Sequence, residues 1–219
     1  MNPKALLENL WRILPDADLA LIEMPQTPGI KLWLVDDAIM DRPLSEQEIN
    51  ALWETPAYWS FAWASGQVLA KKILGNPHWV KGKRVLDFGC GSGLVAIAAA
   101  MAGAEEVIAC DIDSDARDAT IANAAQNGVA ISLLDDFFQL SSPVDILFAA
   151  DVLYDWENKP LLPEFLSKAK TVVVADSRVR EFDEPGYEFK GIFEAVTLPD
   201  MRELEEFKQV KVFWGGNSI

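Results

Sequence analysis

From Lys83 onward the chain alternates two kinds of apolar stretch. KRVLDF, EEVIACD, AISLLD, VDILFAAD and TVVVADS are short, nearly continuous apolar runs that read as buried strands. Between them SGLVAIAAAMAG, SDARDATIANAAQNG and PLLPEFLSKAK carry helical spacing, and Gly103 and Gly128 mark the ends of the first two helices. Continuous apolar strands alternating with helices predict a parallel sheet covered on both faces. The tail changes character: EFKGIFEAVTL and FKQVKVFWGG are two strands separated by LPDMRELEE, a spacing that suits an antiparallel pair closing one edge. The predicted fold is α/β: a Rossmann-like, doubly wound, seven-stranded sheet, mostly parallel with an antiparallel terminal strand.

The first part of the chain is patterned differently and predicts an N-terminal helical and hairpin extension over residues 1–54, ahead of a main domain over 55–219. MNPKALLENLW and the residues after it place Leu6, Leu7, Leu10, Trp11 and Leu14 on one helical face. DLALIEM and GIKLWLV alternate apolar and polar residues around the turn PQTPG, which predicts a β-hairpin. SEQE at Ser45–Glu48 is a capping box opening a second helix, and Pro56 marks its end. AYWSFAWASGQVLAKKIL, Ala57 to Leu74, reads as a mostly helical segment of high aromatic density closed by GNPHW.

Composition narrows the function classes. The formal net charge is −15 and the basic residues are scattered, apart from a small concentration in KKIL and VKGKR, so a nucleic-acid partner is not expected. An acidic surface favours a cationic partner through long-range steering, or serves solubility alone. No apolar run is long enough to span a bilayer, and the N-terminus lacks the features of a secretory signal. Two cysteines, Cys90 and Cys110, make neither a disulfide framework nor a four-thiolate site, and a reduced, cytoplasmic setting is expected. With one histidine, His78, in a Gly-Asn-Pro-His turn and expected at the surface, no metal site is expected either.

The candidate chemistry starts at LDFGCGSG, where Gly89, Gly91 and Gly93 follow a strand and precede a helix. So sharp a turn requires positive φ, which glycine takes without strain, and it leaves bare backbone at the carboxyl end of a strand. The spacing is GxGxG, not the GxGxxG of dinucleotide sites, and no Lys-Ser/Thr pair follows as in a P-loop. Asp111, eighteen positions beyond Gly93, ends the second strand, where an acceptor can take both hydroxyls of a ribose. Asp87 lies at the end of the first strand, where a carboxylate can face an amino group or, through water, a cationic ligand. The combination points to a nucleoside carrying positive charge in place of phosphates.

The run VLDFGCGSGLVAIAAAMAGAEEVIACDID resembles motif I and the following acidic strand of the class I, seven-β-strand, S-adenosylmethionine-dependent methyltransferases. The resemblance covers roughly Lys83 to Gly216 and implies S-adenosylmethionine as cofactor. It implies that Asp87 and the loop of Gly89, Cys90, Gly91 and Gly93 cradle the methionine moiety. Asp111, with Ile112 beside it, would take the ribose, and Asp135 or Asp136 would sit by the adenine amine.

The strand FAADVLYD bears on the methyl acceptor. It has no proline at Val152 or Leu153, unlike the Asn/Asp-Pro-Pro-Tyr/Phe run of enzymes that methylate exocyclic base amines. VLDFGCGSG and DIDSDARDATIANAAQNG resemble the ribosomal-protein methyltransferases, whose Asn-Ile/Leu-rich segment is absent from this strand. DVLY, with Asp151 and Tyr154, resembles the Asp-x-x-Tyr signature of the seven-strand protein lysine methyltransferases. Within that group the chain resembles the enzyme acting on the electron-transfer-flavoprotein β-subunit and its nicotinamide N-methylase-like bacterial relatives. The aromatic segment shares the likeness, although Ala64 and Ser65 replace the proline and first glycine of that enzyme's Trp-Pro-Gly-Gly-Gln-like run. A protein lysine is the implied acceptor, and a small amine or nicotinamide-like molecule is the alternative.

In that reading Asp151 docks the incoming ammonium, while Tyr154, Trp59 and Trp63 wall a narrow channel for it. Each residue has a plainer competitor. Asp151 caps a helix starting near Trp156, Tyr154 packs in the core, and Trp59 and Trp63, four apart, pack as helix residues do. Trp11, Trp33, Trp53 and Trp79 are expected to be structural, and Cys90 to be a small residue that fits its loop. Asn123 and Asn127 are expected on an exposed helix face and at its C-terminal cap. Arg178 and Arg180 lie near the active-site edge, where contact with an acidic part of a substrate protein is the functional reading. Oligomeric state is not legible.

Overall fold

The structure, a computed structural model, describes residues 3–217 apart from the side chain of Trp156. Met1 and Asn2 of the predicted first helix lie outside the described residues. Its remainder is α1 (Pro3–Trp11), with Leu6 and Leu10 buried and Trp11 turned outward, its indole N–H donating to the Ala17 carbonyl at 2.8 Å. The hairpin follows as β1 (Leu19–Glu23) and β2 (Lys31–Val35), paired antiparallel. Helix α2 (Glu46–Glu54) starts at the expected capping box: the Glu48 N–H donates to the Ser45 hydroxyl at 3.3 Å, and the Ser45 N–H to the Glu48 carboxylate at 2.8 Å. Trp53 on this helix is not the packed residue expected, being 83% exposed.

The aromatic segment departs from the prediction. Helix α3 (Ala64–Gly75) begins only after Trp63, and residues 58–60 form a 3-10 turn. Phe61 is extended, and Ala62 pairs with Leu198 through hydrogen bonds of 2.7 and 2.9 Å. That bridge takes Ala62 out of helical register, so Trp59 and Trp63 are not neighbours on one helix face.

The main sheet contains β3 (Arg84–Phe88), β4 (Glu106–Cys110), β5 (Ser132–Leu134), β6 (Val144–Ala150), β7 (Ala169–Asp176), β8 (Tyr187–Glu194) and β9 (Gln209–Gly216). Its order is β5-β4-β3-β6-β7-β9-β8. The first five are parallel, and β9 inserts antiparallel between β7 and β8. Helices α4 (Leu94–Met101), α5 (Ser114–Gln126) and α6 (Leu161–Lys168) connect the parallel strands. Burial on both faces explains why β3, β6 and β7 read as unbroken apolar runs. The chain builds outward from β3 through β4 to β5, then returns to lay β6 on the other flank. The carboxyl ends of β3 and β6 therefore form the topological switch point, where a crevice opens.

The N-terminal segment packs on α5. Leu6, Leu10, Val35 and Trp59 share a core with Ala116, Ala119 and Ala122, whose small side chains permit close approach. Among the described residues no helix is long and apolar enough to cross a membrane. Replacing Ser45 by Ala removes the hydroxyl that accepts from Glu48; a loss of about 1 kcal/mol in denaturant unfolding is expected.

Candidate active site at the carboxyl end of the parallel strands

A cavity of about 690 Å³ opens at the switch point. Its walls come from the loop after β3 (Gly89, Gly91), the end of β4 (Asp111, Ile112, Asp113), the turn after β5 (Asp136, Phe137, Phe138) and the end of β6 (Asp151, Val152, Tyr154). The segment joining the extension to α3 closes it with Glu54, Thr55, Pro56, Tyr58, Trp59 and Trp63, and Arg178 enters from the far side.

The three glycines of the loop all have positive φ, but for three different reasons. A Cβ on Gly89 would fall 2.7 Å from a Val152 methyl, and one on Gly93 would lie 3.0 Å from Thr120 of α5. At Gly91 nothing lies within 4 Å, and this residue lines the cavity. Gly91 is thus the position bare toward a ligand. Gly93, expected to cradle one, answers instead to the packing of α5 and is not a cavity residue. Cys90 is also off the cavity wall: its buried thiol accepts from the Thr120 hydroxyl at 3.2 Å, and burial pushes its pKa well up.

The acidic residues are held mostly by backbone N–H groups. Asp111 lines the cavity, its two oxygens accepting from the Gly91 and Asp113 N–H groups at 3.0 Å each, and burial raises its pKa. Ile112 beside it is 89% exposed, and Phe138, edge-on to Phe137, is also exposed, so two apolar side chains line the cavity wall with solvent-facing surface. Asp136 accepts from the Phe138 N–H at 2.8 Å and lines the cavity, whereas Asp135 is exposed and off the wall. Asp87 lies beneath the loop and does not line the cavity. One of its oxygens accepts from the Ala96 N–H at 3.0 Å; the other has no partner among the described residues, as is true of the Ser65 hydroxyl. Burial pushes Asp87 up to about 8.

Asp151 follows β6 in the left-handed region, at φ 49°. One carboxylate oxygen accepts from the Ser177 N–H at 2.8 Å and the Ser177 hydroxyl at 2.7 Å; the other accepts from the Ser65 N–H at 2.9 Å. It does cap a helix, but the helix is α3 and not one near Trp156. Asp176, buried at the end of β7, accepts from the N–H groups of Leu153, Arg178 and Val179. Its pKa is raised, first by burial and then by the charge of Asp151.

Aromatic rings surround this end of the cavity. Tyr154 is half exposed, which sets aside the packed-core alternative, and lies edge-on to Tyr58 with centroids 5.3 Å apart. Trp63 lies 5.7 Å from Tyr58 and donates its indole N–H to the Tyr58 carbonyl at 2.9 Å. Trp59 reaches the wall while almost wholly buried in the core of the extension. The Arg178 guanidinium stands over the rings of Trp63 and Phe207, at 5.3 and 4.6 Å, and pairs with Glu203.

Several of these residues carry little local signal in the sequence. Tyr58 stands in the same aromatic run as Trp59 and Trp63, and nothing in the pattern separates it from them. Phe138 carried a usable signal, an apolar pair directly after a strand-end aspartate pair. Asp176 and Ser177 end a strand just as Asp111 does. Asn123, expected on an exposed face, is fully buried; Asn127 does occupy the C-terminal cap position, but its side chain turns to the backbone of Lys31.

A bare backbone at Gly91, an acceptor at Asp111 and exposed apolar side chains at Ile112 and Phe138 fit an adenosine-bearing group. Among the described residues lining the cavity Arg178 is the one base, and it is paired with Glu203, a lining that does not favour phosphates. Asp87 yields a prediction that needs no ligand. With its pKa raised to about 8, its contribution to stability is complete below the ordinary carboxylate range near about pH 4 and is lost as pH rises through about 8. Asp87→Asn is expected to flatten that decline, so melting temperatures of variant and parent should diverge in the variant's favour on going from acid to mildly alkaline pH.

Comparisons with known proteins agree with this geometry. The family model for ribosomal protein L11 methyltransferase (PrmA) matches residues 74–173. The electron transfer flavoprotein beta subunit lysine methyltransferase homolog of Caenorhabditis elegans is 30% identical over 177 residues, 66% of this chain and 72% of that protein. The Homo sapiens electron transfer flavoprotein beta subunit lysine methyltransferase is 36% identical over 158 residues, 70% of this chain and 54% of that protein. The chain spans about half the length of the human and Xenopus laevis relatives. Among solved structures, a putative RNA methyltransferase from Pyrococcus horikoshii superposes with a TM-score of 0.54 at 20% identity, over 70% of this chain and 83% of that one, a likeness of fold alone. Motif, sheet order and relatives agree: the chain belongs to the class I S-adenosylmethionine-dependent methyltransferases, in the family of the electron transfer flavoprotein beta subunit lysine methyltransferases and their homologues.

Proposed function

We propose that the chain is a protein-lysine N-methyltransferase using S-adenosylmethionine. The observation that carries the reading is one cavity lined both by Gly91 and Asp111 and by Asp151 with the rings of Tyr58, Trp63 and Tyr154. The cofactor, when bound, supplies an activated methyl group on a sulfonium. Asp111 would hold the ribose hydroxyls, since each oxygen spends only one acceptor site on the backbone. Asp136, on the wall where Asp135 is not, would meet the adenine amine, with Ile112 and Phe138 against the base.

Toward the acceptor, the task is to present a neutral amine in line and keep water out. A lysine amine has a reference pKa of about 10.4 and arrives protonated. Asp151, pinned by three hydrogen bonds, retains acceptor capacity to orient the ammonium, but its charge also raises the amine's pKa. Desolvation among Tyr58, Trp63 and Tyr154 opposes that rise by penalising the charged form, so the proton passes to bulk water as the amine enters this aromatic collar and the neutral amine is what attacks the methyl group. Arg178 closes the wall, its charge balanced by Glu203. The substrate is a protein presenting a lysine to this collar. Free, buried thiols at Cys90 and Cys110 suit a reducing, cytoplasmic setting.

The test is incubation with methyl-labelled S-adenosylmethionine, a native protein extract and a panel of small amines that includes nicotinamide. Label is expected on lysine side chains of a protein; label confined to a small-molecule fraction overturns the lysine reading. Asp151→Asn is expected to lower turnover by about a hundredfold or more, with cofactor affinity changed only a few fold. It also sets an amide NH₂ against an N–H donor, so a loss of about 1–3 kcal/mol in unfolding should accompany it. Full activity in a folded Asp151→Asn variant would remove Asp151 from the mechanism.

A further inference from the structure

One face of α5 carries Ala116, Thr120 and Asn123, continued by the C-cap residue Asn127 at helical spacing, and it holds two separate parts of the chain. Asn123 is fully buried. Its Oδ1 accepts from the Trp33 N–H at 2.7 Å, and its Nδ2 donates to the Ser92 carbonyl at 2.9 Å. A backbone donor on one side and a backbone acceptor on the other assign the amide's orientation. Thr120, one turn earlier, offers its hydroxyl to the Gly91 carbonyl or the Cys90 sulfur, both at 3.2 Å. Asn127, one turn later, reaches only the hairpin and its own helix. It accepts from the Lys31 N–H at 2.9 Å and donates to the Lys31 and Asn123 carbonyls at 2.7 Å each.

Both asparagines therefore seat β2 on α5, but only Asn123 also grips the loop whose Gly91 backbone faces the cavity. We propose that Asn123 is a positioning residue for the cofactor loop. By holding the Ser92 carbonyl, it sets the peptide planes around Gly91, and through Trp33 it makes the seat of the N-terminal hairpin and the shape of that loop one mechanical unit. The inference rests on the cofactor reading above. It distinguishes two asparagines that a purely structural role in docking the hairpin would make equivalent.

Titration calorimetry with S-adenosylhomocysteine on the parent protein, Asn123→Ala and Asn127→Ala separates the possibilities. Asn123→Ala is expected to bind about tenfold more weakly or worse, with kcat at saturating cofactor within about threefold of the parent, while Asn127→Ala stays within about twofold in affinity. Equal weakening in both variants, or none in Asn123→Ala, overturns the inference. Amide hydrogen exchange on the unmodified protein decides the matter even where Asn123→Ala does not fold. Adding S-adenosylhomocysteine should slow exchange at Trp33 more than at Lys31, because only Trp33 shares its acceptor residue with the loop. Equal protection of the two amides overturns the coupling. A parent protein that does not bind S-adenosylhomocysteine at all overturns the cofactor reading and this inference with it, an outcome distinct from the variant results.

Discussion

One carboxylate joins three pieces of this molecule that are far apart in sequence. Asp151 ends β6, receives the Ser177 N–H and hydroxyl just beyond β7, and caps α3 through the Ser65 N–H. Helix α3 has no side-chain cap at its own N-cap residue, Trp63, so the negative charge that its N-terminus favours arrives from 86 residues downstream. The same three bonds hold Asp151 at positive φ, a conformation that costs free energy in a residue with a side chain and persists only where the surroundings compel it. The aromatic turn that builds the collar leads directly into the helix so anchored. The acidic residue, the rings and the switch-point crevice thus share one point of attachment.

The same logic extends across the carboxyl ends of the sheet. Because β3 to β7 all point one way, Asp87, Asp111, Asp136, Asp151 and Asp176 gather at one side of it. Backbone N–H groups satisfy most of their oxygens. Burial raises the pKa values of Asp87, Asp111 and Asp176. Among the described residues lining the cavity Arg178 is the one base, and Glu203 balances it. Asp111, Asp136 and Asp151, the members of this group that line the cavity, favour positively charged guests, and a sulfonium and an ammonium are both cations.

Close packing accounts for features that sequence patterns treat as ligand recognition. Of the three alternating glycines, Gly89 and Gly91 line the cavity, but only at Gly91 does an added Cβ meet nothing within 4 Å; Gly89 yields to Val152 and Gly93 to Thr120. The loop's shape is set as much by its neighbours, Val152 and α5, as by what it faces. That is why residues on α5 with no place on the cavity wall bear on its geometry.

The parallel core, its helices, the antiparallel pair and the capping box at Ser45 could all be read in the chain, because each depends on local periodicity or on turn chemistry within a few residues. The glycine loop, Asp111 and the Asp151–Tyr154 segment were legible for the same reason: a strand end announces itself. What could not be read depends on partners remote in sequence. Ala62 leaves helical register because Leu198 pairs with it, Asp136 and not Asp135 faces the cavity because of the turn that it caps, and Asn123 is buried because Trp33 and Ser92 both reach it. A helix with polar residues on several faces looks exposed until something is laid against it. Local patterns specify which elements form, whereas burial and hydrogen-bond partnership belong to the assembled chain, where the second element is present to compete with water.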